Sequence, residues 1–458
     1  MADVRKVWEK RVSGAVEGLA VSVDGGLVLA RTSEGKLHLF SRDGDSLWSL
    51  PGESPVVAMD ISSPGDHIAV GLKSGSVMLL DRAGQVSWKH DTGEPVLDLS
   101  ISHNGKYLLA GTAGGSILFF DHLGKLLWTR KAKGAVSAVA LSSSANYAVA
   151  GSDDGSVCFL DNYTTNMGGK VAWNIPVKGP VRKVTISTDG FYIAAAPSDA
   201  TVQYMDKLGK LYWSHRVDNT VSALDMSSSG DYIFIGAEGG THPGQVCLFH
   251  RNEGLMWRYI TGQATVGSAV ISSTGAFMAA GSQQEEVHFF HRDQKLVWKT
   301  KLDGPVDAVA ISPDGMITVA GTRKGTIQLF DNAPAVEELK ALTQERPELD
   351  AGLFRPMISA APAFEEEPEN PAASQAPAAP PTDAQMARTG AMEAVVDACL
   401  LVVLGLIGGV VYFMYHDDIG LGQGLFILIA LLVVMAFLAY MFYAHVRTRP
   451  RKKRPSFY

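Results

Sequence analysis

Histidine and cysteine are the side chains best suited to bind a transition metal or to attack a substrate, and this chain has 12 histidines and 3 cysteines. The cysteines, Cys158, Cys247 and Cys399, are odd in number and lack C-x-x-C spacing, which argues against a disulfide framework or a zinc site. Cys158 and Cys247 stand in the similar segments VCFLD and VCLFH, which indicates small apolar strand residues and fits a reducing compartment. His38 and His288 occupy a strand position that holds Met, Leu, Cys or Gln in similar segments, so we interpret them as packing residues. We predict no metal and no cofactor.

Motifs of catalysis are missing as well. The sequence contains no H-E-x-x-H, G-x-S-x-G, phosphate-binding loop or EF-hand pattern, so no set of nucleophile, base and oxyanion donor can be named. The formal net charge is −7, with 47 acidic and 40 basic residues, which gives no general reason to expect a nucleic acid as partner. We predict a protein that is not an enzyme and does not bind nucleic acid.

Basic residues on loops are the first candidates for a partner-binding surface. Five of them surround the starts of two successive repeat units: Lys131, Lys133, Lys178, Arg182 and Lys183. They form a modest basic patch that an anionic protein segment could contact. Asp153 and Asp154 are expected on the same face, so a mixed, solvated surface is the alternative interpretation.

Two loops are longer than their counterparts elsewhere in the chain. The loop AEGGTHPGQ (237–245) contains a further candidate partner-binding residue, His242, and the loop NYTTNMGGK covers 162–170. Departures from a repeat are where function tends to lie, although neutral drift of loop length would produce them too.

These loops belong to a repeat that is marked by tryptophan. All eight tryptophans fall in one series, with intervals of 40, 40, 40, 45, 40, 44 and 41 residues: Trp8, Trp48, Trp88, Trp128, Trp173, Trp213, Trp257 and Trp298. A period near 40 residues is that of a four-stranded propeller blade. Short alternating apolar strands separated by Gly, Asp, Asn and Ser turns fill each unit. We therefore predict an all-β fold, an eight-bladed β-propeller, over residues 1–332.

The two ends of the repeat region complete one another. The third strand of the last unit, 327–330, is not followed by a tryptophan strand, whereas Trp8 precedes the first complete unit. We expect residues 4–10 to form the outer strand of blade eight, so that the N-terminal strand closes the ring.

The repeats resemble a hybrid of WD40 repeats and the tryptophan-docking repeats of quinoprotein-like propellers, over residues 4–332. The WD40 likeness lies in ISPDG (311–315) and GSDDGSVCFLD (151–161), although the Trp-Asp pair of that family is replaced. The quinoprotein likeness lies in the G-x-x-x-W spacing of DHLGKLLW (121–128) and DKLGKLYW (206–213). This resemblance implies that the tryptophans dock between neighbouring blades and are structural.

The same resemblance raises a quinone-dependent dehydrogenase as a less favoured function. Such enzymes work outside the cytoplasm with a calcium-bound cofactor and often a vicinal cysteine pair. The N-terminal MADVRKVWEK has no apolar export signal, and no Cys-Cys pair or cluster of calcium ligands is recognisable. Similar blades indicate a similar fold, and a similar fold does not by itself imply the same function.

The composition of the chain changes after the repeat region ends at residue 332. Residues 333–392 are rich in Pro, Ala and Glu and are predicted to be a disordered linker, apart from a short helix at 335–345. Two apolar runs, 394–415 and 425–444, predict a C-terminal two-helix transmembrane hairpin over 393–446, with a buried soluble hairpin as the alternative.

Charge around the hairpin predicts its topology. The connection between the two runs has no Lys or Arg, whereas the tail 447–458 begins with RTRPRKKR, so the positive-inside rule places both termini and the propeller in the cytoplasm. The basic residues of 447–454 could hold anionic lipid headgroups. The spacing of Gly405 and Gly409 allows a weak homodimer through close helix approach.

Together these features predict a membrane-anchored β-propeller, an integral protein of the cell membrane, that acts as a protein-protein interaction scaffold for protein or peptide partners at the cytoplasmic face. The alternative is a signalling component whose propeller senses a small ligand. The repeat style is similar to that of archaeal and bacterial membrane proteins.

Overall fold

The computed structural model describes residues 4–52 and 54–344. Within these residues, 32 strands form eight sheets of four antiparallel strands each, and one helix follows the last strand. The prediction of an eight-bladed β-propeller is confirmed.

The first four blades follow the chain in order, and the innermost strand of each is the first in sequence. Blade one has β2 (Val16–Val21), β3 (Leu27–Thr32), β4 (Leu37–Ser41) and β5 (Ser46–Leu50). Blade two has β6 (Val56–Ile61), β7 (His67–Leu72), β8 (Ser76–Asp81) and β9 (Val86–Asp91). Blade three has β10 (Val96–Ile101), β11 (Tyr107–Thr112), β12 (Ser116–Asp121) and β13 (Leu126–Lys131). Blade four has β14 (Val136–Leu141), β15 (Tyr147–Ser152), β16 (Ser156–Asp161) and β17 (Lys170–Pro176).

The other blades repeat this arrangement, and blade eight borrows its outer strand from the N-terminus. Blade five has β18 (Val181–Ile186), β19 (Tyr192–Pro197), β20 (Thr201–Asp206) and β21 (Leu211–Arg216). Blade six has β22 (Val221–Met226), β23 (Tyr232–Ala237), β24 (Gly244–His250) and β25 (Gly254–Gly262). Blade seven has β26 (Val266–Ile271), β27 (Phe277–Ser282), β28 (Glu286–His291) and β29 (Lys295–Lys301). Blade eight has β30 (Val306–Ile311), β31 (Ile317–Thr322), β32 (Thr326–Asp331) and β1 (Arg5–Arg11).

The hydrophobic core lies between neighbouring blades. One buried cluster joins Ala69 and Leu79 of blade two to Leu99 and Phe120 of blade three, and similar clusters fill other junctions. The second and third strands of each blade are covered on both faces, which is why they are nearly continuous runs of apolar residues. The outer strands alternate exposed and partly buried residues because one face meets solvent.

The N-terminal strand closes the ring. β1 pairs antiparallel with β32, with Arg5 opposite Asp331 and Lys10 opposite Ile327. A core cluster then joins Trp8 and Leu329 of blade eight to Val28 of blade one. The strand predicted at residues 4–10 is confirmed at Arg5–Arg11.

The tryptophans dock between blades, as the resemblance implied. Each indole Nε1 donates a hydrogen bond of 2.7–3.2 Å to an oxygen of the residue that follows the third strand of the next blade. The glycine of the G-x-x-x-W spacing makes room for the ring: a Cβ on Gly124 would lie 2.7 Å from Trp88. Gly124 also has a φ of 83°, which favours glycine.

The loops divide between two faces of the ring. Ser33 N donates to Ala15 O, which joins the turn between strands two and three to the connection that enters the blade. We call this side the upper face. Arg42 N donates to Gly26 O, which joins the turn between strands three and four to the turn between strands one and two. We call that side the lower face.

A circle of backbone hydrogen bonds runs around the lower mouth of the channel. In each of seven blade junctions, from Val23 N to Ser63 O through to Ser273 N to Pro313 O, one first-to-second-strand turn donates to the same turn of the next blade at 2.9–3.2 Å. The eighth bond, from residue 313 to Val23, cannot form because proline has no N–H. The circle therefore has one break, between blades eight and one.

The chain leaves the ring on the lower face. Helix α1 (Ala333–Gln344) is capped by Asp331, whose Oδ1 accepts the Ala333 amide at 3.0 Å, and its first turn buries Ala335 and Val336 against the core of blades seven and eight. It lies where the short helix at 335–345 was predicted and begins two residues earlier.

The remainder of the predicted linker, 345–392, the predicted hairpin over 393–446 with its spans 394–415 and 425–444, and the tail 447–458 lie outside the described residues. No helix in the described part of the chain is long and apolar enough to span a bilayer.

Candidate functional site

The six predicted partner-binding residues all lie on or beside the upper face. Five of them lie in or beside the two connections that lead into blades four and five, and His242 lies in the loop between β23 and β24. Only Lys131 and Arg182 have side-chain hydrogen-bond or ion-pair partners among the described residues, and the six residues line this face without converging on one point. The placement supports a broad contact surface more than a compact pocket.

Lys131 is anchored rather than free. Its ammonium contacts Glu94 Oε1 at 3.2 Å and Ser116 Oγ at 3.1 Å. Glu94 also accepts a hydrogen bond of 2.7 Å from the Thr112 hydroxyl. These hydrogen bonds, from Thr112 first and then from Lys131, lower the pKa of Glu94. Lys131 therefore joins the outer edge of blade three to the loop that enters it.

The neighbouring basic residues are exposed. Lys133 and Lys178 extend into solvent, and the Arg182 guanidinium lies 3.8 Å from Asp153. The backbone amide of Lys133 donates to Asp154 at 3.2 Å. The predicted mixture of basic and acidic groups on one face is present, and its Lys133 and Lys178 ammonium groups are available to a partner.

Lys183 faces the central channel. It lines a cavity of about 300 Å³ that is bounded by the inner strands of blades one and five to eight. Two carboxylates that also line this cavity form ion pairs with arginines. Glu17 pairs with Arg31 at 2.9 Å, and Asp307 pairs with Arg323 at 2.8 and 3.0 Å. Within the described residues the Lys183 ammonium makes no hydrogen bond or ion pair, so it is the free charge of this cavity.

His242 lies at the end of the loop between β23 and β24. The loop is anchored by Asn219, whose Nδ2 donates to the carbonyl oxygens of Glu238 at 2.8 Å and His242 at 3.0 Å. The His242 residue is exposed on the upper face. The backbone of the loop is therefore held while its imidazole is presented to solvent.

The sequence reasoning missed three carboxylates that line the channel. Asp60 Oδ2 accepts the Ile101 amide and Asp225 Oδ2 accepts the Ile271 amide, each at 2.9 Å, and Asp98 Oδ2 accepts the Val139 amide at 2.8 Å. Each carboxylate thus joins the inner strand of its own blade to that of the next blade, where no backbone ladder exists.

Enclosure changes the acidity of these three groups. Each of these residues is partly exposed, but protein surrounds its carboxylate, and the loss of solvation raises the pKa of Asp60, Asp98 and Asp225 to about 6. Asp60 and Asp225 occupy the same strand position in blades two and six. The sequence did contain a signal for them, because an aspartate interrupts an apolar strand at the same repeat position in two blades.

Other reactive groups are shielded. Burial raises the pKa of the Cys158 thiol to about 11 and that of Cys247 to about 12, so both are poor nucleophiles at neutral pH. In the described ranges, no group of three or more His, Cys, Asp or Glu residues is arranged to hold a metal ion. The groups of the described site that are free to bind a partner include the ammonium groups of Lys133, Lys178 and Lys183.

Comparison with known proteins places these features in a family. A family model described as "Outer membrane protein assembly factor BamB" matches residues 2–97, 73–166 and 113–254, which together make up more than half of the chain. No curated protein matches the sequence.

Solved structures show the same fold. A computationally designed protein, Ika8, superposes with a TM-score of 0.59 at 20% identity, over 70% of this chain and 98% of its own. BamB from Moraxella catarrhalis superposes with a TM-score of 0.57 at 19% identity, over 72% of this chain and all of its own. At these identities the likeness shows the fold alone.

Proposed function

Because this chain belongs to the family of the outer membrane protein assembly factor BamB, we propose that it is a protein-protein interaction scaffold rather than an enzyme. The observation that carries the proposal is the upper face: a rigid, closed ring presents the exposed ammonium groups of Lys133 and Lys178 and the anchored loop of His242 on one side. Charged groups on a rigid frame favour specific contact with an acidic protein or peptide segment.

The family is named after an assembly factor, and assembly requires contact with other proteins. The described residues add a physical reason for the same function. The ring is held closed by β1 and by eight docked tryptophans, so its surface loses little conformational entropy on binding.

The membrane anchor is a further part of the proposal. Residues 394–415 and 425–444 are proposed to span the cell membrane as a hairpin, with the propeller and both termini in the cytoplasm and with 447–454 on anionic headgroups. Gly405 and Gly409 are the proposed contact of a weak homodimer. A tether of this kind raises the local concentration of the scaffold near its partners.

Proximity labelling from a tag before Met1 in native membranes tests the scaffold, and tag accessibility in sealed and opened vesicles tests the topology. We expect recurrent labelling of one complex, with loss of labelling in the double variant K133E/K178E. Charge reversal at Lys10, an exposed residue of the outer strand β1, is the matched control and should leave labelling unchanged. Equal labelling by all three proteins would contradict the upper face as the contact surface.

One observation favours a second function, the sensing of a small ligand. The cavity of about 300 Å³ beside Lys183 is large enough for a small metabolite. A thermal shift of the full chain in detergent with small carboxylates, abolished in K183A, would support this function over the scaffold alone.

A further inference from the structure

Large apolar side chains are exposed on the lower face of three consecutive blades. Leu123 and Leu208, at the tips of the turns between strands three and four of blades three and five, are 76% and 80% exposed. Tyr163 occupies the same connection of blade four, and Phe191 the neighbouring first-to-second-strand turn of blade five, at 66% and 42%. We call these four residues the apolar arc.

The fold does not require apolar residues at these tips. Asp121 Oδ1 accepts the amides of Leu123 and Lys125 at 3.0 and 2.9 Å, and Asp206 does the same in blade five, so the turn is held by its aspartate. The tip position of other blades carries Asp43, Ala83, Asn252 and Asp293. The leucines contribute little to the core and are explained best by something outside the propeller.

Five lysines lie in or beside the lower-face turns of the same three blades, and their ammonium groups have no ion-pair partner among the described residues: Lys106, Lys125, Lys170, Lys207 and Lys210. The Lys207 ammonium lies 3.7 Å from the centre of the Phe191 ring, which keeps it beside the arc. The turn aspartates accept backbone amides instead of pairing with these lysines. The surface therefore combines apolar tips with lysines that lack an ion pair, and the exposed carboxylate of Asp189, which accepts the Phe191 amide, lies at its edge.

The chain departs from the same face. Helix α1 packs on the lower face of blades seven and eight, and the residues that follow it lead to the apolar runs 394–415 and 425–444. A surface of exposed leucines, a tyrosine and a phenylalanine ringed by lysines matches a bilayer interface, where aromatic and aliphatic side chains enter the headgroup region and lysines meet anionic lipid.

We propose that the apolar arc and its five lysines form a peripheral contact with an anionic lipid bilayer, which turns the lower face to the membrane and the upper face to the cytoplasm. The proposal rests on the proposed membrane location and adds an orientation to it. A propeller held in this way presents Lys133, Lys178 and His242 away from the lipid, where a partner can reach them.

The test uses the full-length protein in vesicles that contain phosphatidylglycerol. A membrane-impermeant acetylating reagent is added, and mass spectrometry gives the acetylation rate of each lysine. We expect Lys125, Lys207 and Lys210 to react at least about fivefold more slowly than the upper-face Lys133 and Lys178, since contact with lipid excludes the reagent. The double variant L123S/L208S should remove this difference, because two exposed leucines supply most of the inserted apolar area.

The controls separate the outcomes. The thermal melt of L123S/L208S should match that of the wild type, since both side chains are exposed. Alkaline extraction of the vesicles reports on the hairpin alone, so a failure of anchoring is distinguished from a failure of the arc. Equal acetylation of the two groups of lysines in wild-type vesicles would overturn the proposal. Protection seen in native membranes but absent from purified vesicles would overturn it too, because a protein would then cover the arc.

Discussion

The indole Nε1 of Trp8 donates a hydrogen bond of 2.9 Å to the carbonyl oxygen of Arg42, and this contact joins blade eight to blade one. Trp8 stands on β1, the strand that completes blade eight, so one short N-terminal segment closes the ring in two ways. It pairs with β32, and it fills the last junction between blades.

Removal of residues 1–11 is therefore expected to lower the melting temperature by roughly 5–10 °C, since it exposes the edge of β32 and removes a buried indole. The single variant W8A should produce a large part of this loss. Differential scanning calorimetry of the full chain measures both. The control is K10A, which alters an exposed residue of the same strand. Melting temperatures unchanged by the deletion would contradict closure by β1.

The channel carboxylates predict a dependence of stability on pH. Asp60, Asp98 and Asp225 have a pKa of about 6 in the folded protein against 3.8 for a free side chain, so the folded state binds protons more tightly than the unfolded state. Their contribution to the free energy of unfolding rises as the pH falls from 6 toward 4. For each group the gain between pH 7 and pH 5 is about 1 kcal/mol.

Guanidinium unfolding of the wild type and of D225N at pH 5 and pH 7 measures this contribution. We expect D225N to gain less stability than the wild type on acidification, because asparagine does not titrate. D189N, in an exposed turn of the lower face, is the control. An identical pH dependence in wild type and D225N would rule out this assignment of the pKa.

His288 predicts the opposite trend. Burial lowers its pKa to about 4 although the Glu286 carboxylate lies 3.3 Å from its Nε2, and its Nδ1 has no hydrogen-bond partner among the described residues. The imidazole therefore stays neutral in the folded state, while it becomes charged in the unfolded state below pH 6.5. Its contribution to stability is therefore lost as the pH falls from 6.5 to 4, by about 2 kcal/mol at pH 5. H288Q places at this position the residue found at Gln203 and Gln328.

We expect H288Q to be less sensitive to acid than the wild type, as measured by the unfolding midpoint at pH 5 relative to pH 7. The exposed His242 provides the matched control in H242Q, which should leave the ratio of midpoints unchanged. A wild-type response in H288Q would show that the imidazole is not kept neutral.

The two thiols of the propeller are expected to be inert. With the pKa raised to about 11 for Cys158 and about 12 for Cys247, the thiolate fraction at pH 8 is on the order of one in a thousand or less. Alkylation of the native protein followed by peptide mass spectrometry should find both unmodified, and unfolding in guanidinium should make both reactive. Fast modification of Cys158 before unfolding would contradict its shielding.

The sequence predicted the fold in detail because the tryptophans recur at intervals of 40 to 45 residues, which is the length of one blade. Trp8 and Trp298 frame a series whose period is that of a blade, and the missing tryptophan strand after residue 330 located the closure. The strands and turns of each blade could be predicted because each depends on residues that are close together in the chain. The candidate surface was predicted only as a set of loops on one face.

Contacts between residues of two different blades could not be predicted from the sequence. Asp225 looks like a polar interruption of an apolar strand, and its role appears only when Ile271, from the next blade, is brought within 2.9 Å. The apolar arc was missed for the same reason. Leu123 and Leu208 are 85 residues apart and look like ordinary strand-end residues until the ring places blades three and five on either side of Tyr163.

The break in the circle of turns at Pro313 has a mechanical meaning. The junction of blades eight and one lacks the turn-to-turn hydrogen bond that the other seven junctions have, so it depends on the docked Trp8 and on the core around it. Both chain ends of the propeller lie in blade eight: β1 is its outer strand, and α1 follows its third strand. A pull on the chain after α1 would therefore act first on blade eight, whose outer strand comes from the other end of the chain and is held by its pairing with β32.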